Sequence, residues 1–144
     1  MTHQSLSHRP ARGRGAARLL AGGACALVLA GCAGAQDAPA ASAAERLLTA
    51  AGQDDGRAAC DVLAPATRSE LEQTAGKPCA EAILEEDLTS PGTSARVTVF
   101  DDMAQVVVGP ETVFLSRFDG SWLVVAAACT PVEAGPYDCS IGLP

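Results

Sequence analysis

Beyond residue 8 the chain has no histidine: His3 and His8 are its only two. That absence removes Ser-His-Asp and Cys-His catalysis, and imidazole metal ligation, from everything that follows. Lysine is nearly absent as well. Lys77 stands alone, before Pro78 in a turn, and Tyr137 and Trp122 are the single residues of their types. No C-x-x-C occurs, and the cysteine spacings fit no zinc pattern. Asp54-Asp55 and Asp101-Asp102 read as turn residues, and no EF-hand spacing surrounds them. No metal site and no cofactor is therefore expected. The apolar run 19–30 is twelve residues long, short of the about 20 that a helix needs to cross a bilayer.

That run has a defined context. Arg9, Arg12, Arg14 and Arg18 precede it with no acid among them, and the small residues Ala30 and Gly31 follow it, then Cys32. Charge, apolar run and small residues make an export signal. The segment 29–32, "LAGC", resembles the lipobox of bacterial lipoproteins: an aliphatic residue, two small residues and cysteine. The resemblance implies a diacylglycerol on the Cys32 thiol and cleavage between Gly31 and Cys32. Two acyl chains suffice for stable anchoring. The arginines are never adjacent, so the general export route is expected. Residues 1–31 are read as the signal peptide, 32–41 as the lipidated cysteine and its tether, and 42–144 as one small domain. Ten flexible residues reach about 17 Å, which keeps that domain at the outer, extracytoplasmic face of the membrane.

Removing 1–31 sharpens the charge. Four of ten basic residues lie there, leaving six against all seventeen acids, a net charge of −11 for the 113 residues that remain. Such acidity excludes nucleic acid as a partner and gives no attraction to anionic lipid. Four cysteines follow Cys32: Cys60, Cys79, Cys129 and Cys139. An even number in an exported domain reads as two disulfides. Of the three pairings, Cys60–Cys79 and Cys129–Cys139 are favoured, because each closes a local segment.

The first half reads as helices. Ser42 and Glu45 have capping-box spacing, with Ala44, Leu47, Leu48 and Ala51 on one face. A short helix is expected over 57–63. Thr67 and Glu70 repeat the capping box, and Gly76 closes that third helix. A fourth is expected over 79–88, with the stripe Ala80, Ile83, Leu84 and Leu88. After the break "TSPGTS", 89–94, the pattern alternates as strands. Asp119-Gly120 between "TVFLSRF" and "SWLVVAAAC" is the strongest hairpin signal. With those two residues as the loop, Arg117 faces Trp122, Leu115 faces Val124 and Phe114 faces Val125. The fold class is α+β: N-terminal helices packed on a C-terminal four-stranded antiparallel meander, stapled by two disulfides. The tail to Pro144 is expected as an extension pinned by Cys139.

Helices first, then a sheet ending in "RFDGSWLVVAA", resemble the small nuclear transport factor two-like, or cystatin-like, domains. Residues 60–139, with "ACDVLAPATRSELE" and the "DGSW" hairpin, are similar to small secreted lipoproteins of high-GC actinobacteria. The first resemblance implies a cone-shaped pocket between helices and sheet, where the family's enzymes place carboxylate or histidine groups. No such motif is matched here, so no catalytic residue is carried over. On an ideal helix at 100° per residue, Asp87 falls inside the apolar stripe of the fourth helix, where a carboxylate has a raised pKa and can act as a base. A helix ending before Asp87 removes that reading. Glu111 is the other acid considered for a pocket. Arg117 opposite Trp122 is a cation–π candidate. The expected function is a lipid-anchored extracytoplasmic binding or accessory domain, non-enzymatic, acting on an envelope protein or small ligand. The alternatives are a small-ligand carrier, or an enzyme using a pocket carboxylate.

Overall fold

Helix α1, Asp37–Gly52, begins ahead of the capping box expected at Ser42. Asp37 puts an acid in the first turn, where the helix dipole favours it. Pro39 also lies in that turn, where its missing N–H costs nothing. Alanine then carries the helix forward. Residues 37–41, expected in the tether, are thus helical. This computed structural model describes residues 34–88 and 95–142. The expected signal 1–31, Cys32 and the break 89–94 lie outside the described residues.

One face of α1, Ala40, Ala43, Ala44, Leu47 and Leu48, is wholly buried. Helix α2, Gly56–Asp61, is capped by Asp55, whose carboxylate accepts the Ala58 N–H at 3.0 Å. Helix α3, Pro65–Ala75, starts on its proline and ends at Gly76 with φ 65°. Thr67 therefore does not cap it; its hydroxyl donates to the Val125 carbonyl at 3.1 Å. The expected fourth helix is shorter. Helix α4, Cys79–Ala82, tightens into a 3-10 turn, Ile83–Glu85, and Glu86 is extended. The Cys60–Cys79 disulfide joins α2 to α4.

Five strands follow: β1 Ala95–Phe100, β2 Met103–Val108, β3 Glu111–Phe118, β4 Ser121–Val132 and β5 Gly135–Ile141. They form one antiparallel sheet in sequence order. The expected count of four is corrected by β5. Gly135, Pro136 and Asp138 are poor strand formers, so local propensity hides it. Pairing with β4 and the cross-strand Cys129–Cys139 disulfide hold it.

The β3–β4 hairpin turns on Asp119 and Gly120, with φ 48° and 83°. Arg117 pairs with Trp122 and Leu115 with Val124, but Phe114 faces Ala126 rather than Val125. Val125 is an extra residue, a β-bulge, and a count along the strand cannot see it. The bulge bends β4 and divides its length. Before it, β4 lies beside β3 on one edge and the α2–α3 connection on the other. There the Val124 N–H donates to the Val62 carbonyl, and the Ala64 N–H donates to the Val124 carbonyl, each at 2.8 Å. Past it, from Ala127, β5 takes that second edge. Helix α1 and Ile83 cover the inner face of the sheet, with Val106, Val108, Val113, Leu115 and Val124 fully buried.

Gly56 lets α2 touch α4. A Cβ there would stand 1.9 Å from the Ala80 carbonyl oxygen. Alanine ordinarily improves a helix position by about 1 kcal/mol. Gly56→Ala is instead expected to lower stability by roughly 1–3 kcal/mol, the cost of overpacking. Urea unfolding checks this, and an unchanged or raised midpoint contradicts the close approach. Replacing Cys60 and Cys79 together by serine should cost roughly 3 kcal/mol in the same assay, as expected for a cross-link over a loop of this length.

Candidate functional site

Polar contacts between distant segments gather at the end of the sheet that carries the β1–β2 and β3–β4 turns. Trp122 sits there on the helix-facing side of β4, 4% exposed. A buried indole N–H needs an acceptor, and the Gln36 side-chain oxygen accepts it at 3.1 Å. Gln36 is the residue before α1, and its side chain makes no cap to the helix. It is used instead to hold the start of α1 against the hairpin.

Arg117 crosses from β3 to the same tryptophan, its guanidinium carbon 5.8 Å from the ring centroid. Its Nε donates to the Asp102 carboxylate at 2.9 Å, and its Nη2 donates to the same oxygen. The Arg117 backbone N–H also donates to the Asp102 carbonyl at 2.8 Å. One arginine therefore links both turns to the tryptophan that receives α1. Asp101, with φ 55°, and Asp102 form the first turn, and Asp119 begins the second.

Beside this network lies a cleft of about 380 Å³, between Pro39, Arg46, Asp61 and Trp122. A second, of about 370 Å³, shares Arg46 and is lined by Glu45 and Asp55. A third, of about 450 Å³, lies between Glu70, Leu71, Glu86 and Cys139. Their volumes suit small ligands. Their charged groups, however, are exposed or half-exposed, and water screens such charges. Between α1 and the sheet, where the resembled family's enzymes have a cone-shaped pocket, lie the buried side chains of Leu47, Leu48, Val113, Leu115 and Val124.

Asp87 is exposed, beyond the 3-10 turn. An apolar stripe that includes Asp87 requires a continuous helix through residue 88. The break after Ala82 rotates Asp87 and Leu84 into solvent, while Leu88 still packs against the core. Asp87 thus faces solvent rather than the apolar stripe. Glu111 is 7% exposed at the start of β3, beside buried Thr112, at the opposite end of β3 from the Trp122 network. The four cysteines beyond residue 32 are all disulfide-bonded. Among the described residues, no three His, Cys, Asp or Glu side chains gather to hold a metal ion.

Gln36, Asp102 and Thr67 were not singled out in the sequence as tertiary partners. The only available signal was that a buried tryptophan needs an acceptor, and nothing local says which residue supplies it. Comparison with models of protein families, with curated proteins and with solved structures finds no match to this chain.

The network ranks two substitutions. Gln36→Ala strands the buried indole N–H and should cost about 1–3 kcal/mol. Breaking the solvent-facing ion pair with Asp102→Asn should cost less than about 1 kcal/mol. Thermal unfolding of the two variants measures the order. The reverse order contradicts the assignment of Gln36 as the indole's partner.

Proposed function

We propose that this protein is a lipid-anchored domain on the extracytoplasmic face of the cell membrane, acting without catalysis as a binding or accessory module for an envelope protein or small ligand. The observation that carries the anchor is the "LAGC" segment, 29–32, behind a basic stretch and a short apolar run. Two disulfides suit an oxidising compartment. No helix among the described residues is long and apolar enough to cross a membrane, so a covalent lipid on Cys32 is the attachment proposed.

For the non-enzymatic reading, support comes from what fills the interior. A carrier or a cone-pocket enzyme needs a cavity behind the helices, and that space holds alanine, leucine and valine side chains. Asp87 faces solvent. The outer surface is left for recognition.

Cys32→Ala is expected to move the protein from the membrane fraction to the soluble fraction of cells. Mass spectrometry of the wild-type N-terminal peptide should show a diacylglycerol on Cys32. Unchanged membrane retention of the variant, or an unmodified Cys32 in the membrane fraction, overturns the anchor.

A further inference from the structure

Three large apolar side chains stand in solvent at the turn-bearing end of the sheet: Phe100 at 65% exposure, Met103 at 55% and Phe118 at 42%. Phe100 and Met103 are cross-strand partners on either side of the Asp101-Asp102 turn. Phe118 immediately precedes the Asp119-Gly120 turn and pairs with Ser121. Strand alternation places all three on the face away from the helices, since their neighbours Val99, Ala104 and Arg117 lie on the helix side with the core or Trp122. Concentrated exposed apolar surface marks a contact with a membrane or a partner.

The chain itself indicates which. Gln36 is hydrogen-bonded to Trp122 at this same end, and Pro39 shares a cleft with Gly120 and Ser121. Cys32 is only four residues before Gln36. Fully extended, that length spans at most about 14 Å. A lipid on Cys32 would therefore lie within about 14 Å of Gln36, at the end of the sheet that carries the two turns. No long tether separates the domain from the bilayer, because α1 begins at Asp37.

We propose that Phe100, Met103 and Phe118 form a membrane-contact patch that enters the interfacial layer of the bilayer and sets the orientation of the anchored domain. The proposal rests on the lipid anchor at Cys32. With two acyl chains already holding the protein, the patch orients rather than retains it. In this pose the solvent-facing Asp101 and Asp119 stay among the headgroups. Their charge favours a zwitterionic surface over an anionic one.

The test uses the mature lipidated protein, beginning at Cys32, in phosphatidylcholine vesicles with and without brominated acyl chains. Phe100→Trp and, separately, Phe118→Trp each introduce an indole at the patch, read as emission in excess of the wild type, whose Trp122 is buried. The expected result is that both variants float with the vesicles and that brominated chains extinguish the added emission. That emission should also lie to the blue of the same variant carrying Cys32→Ala in buffer. Flotation with no quenching in either variant overturns the patch and leaves the anchor standing. Added emission that is blue-shifted but unquenched means that protein, such as a second copy of the chain, covers the patch, and it overturns the proposal too. Failure of the lipid-bearing chain to float overturns the anchor reading, and the patch with it.

Discussion

Backbone hydrogen bonds at Val124 tie the helical half of the chain to the sheet. Val124 is fully buried and lies across from Leu115 in the β3–β4 ladder. Its N–H and carbonyl both turn outward to the segment Val62–Ala64. An unpaired backbone group at such a buried position would cost as much as a lost hydrogen bond. The α2–α3 connection must therefore lie along β4, in a short parallel bridge at Leu63. That placement sets α2 on one side and α3 on the other. The Thr67 hydroxyl then reaches Val125, the bulge residue, and the bend there frees the later half of β4 to pair with β5. Helices, bulge and last strand all follow from how one strand edge is satisfied.

The turn-bearing end obeys a related constraint. A tryptophan in the hairpin brings a large apolar surface and one polar atom, and the polar atom must be met from within the fold. Gln36 meets it. The start of α1, the two turns and the sheet end become one unit, with Arg117 and Asp102 joining the turns. The proposed lipid attachment, four residues earlier, inherits its position from this contact.

Chemistry at the surface is spare. The acids greatly outnumber the bases after residue 31, and three of the remaining bases are committed to ion pairs: Lys77 with Glu85 at 2.7 Å, Arg68 with Glu72 at 3.7 Å, and Arg117 with Asp102. The small side chains of α1 are buried in one cluster with the valines of the sheet. Phe114 and Tyr137 cover part of the outer face, edge to face at 5.0 Å, with the Gln105 amide donating to the tyrosine hydroxyl at 2.7 Å. The exposed Phe100, Met103 and Phe118 lie nearer the turns.

How much of this was legible varies with the range of the interaction. Helices before strands, Gly76 as a stop, the Asp119-Gly120 turn and the Arg117–Trp122 pairing are set within a few residues by periodicity, φ preference and turn geometry, and they read directly. The favoured cysteine pairs are local too, and the structure holds the same two. Ser42 and Thr67 misled because a capping box is only a spacing. Asp37, Pro39 and Pro65 start the two helices earlier, and a helix takes the earliest start its first turn allows. The helix ends before Asp87, the alternative to an inward carboxylate, because α4 stops at Ala82 and its 3-10 turn at Glu85. Strand β5 stayed hidden because its residues are poor strand formers held by a neighbour. By itself the sequence determined the order of elements, the acidic charge and the absence of histidine chemistry, since these depend on residue identity and near neighbours. Tertiary structure alone decided the bulge at Val125, the fifth strand, the filled interior and the meeting of Gln36 with Trp122. Each of those satisfies a polar group or a volume using residues far away in the chain, and no local pattern records such a partner.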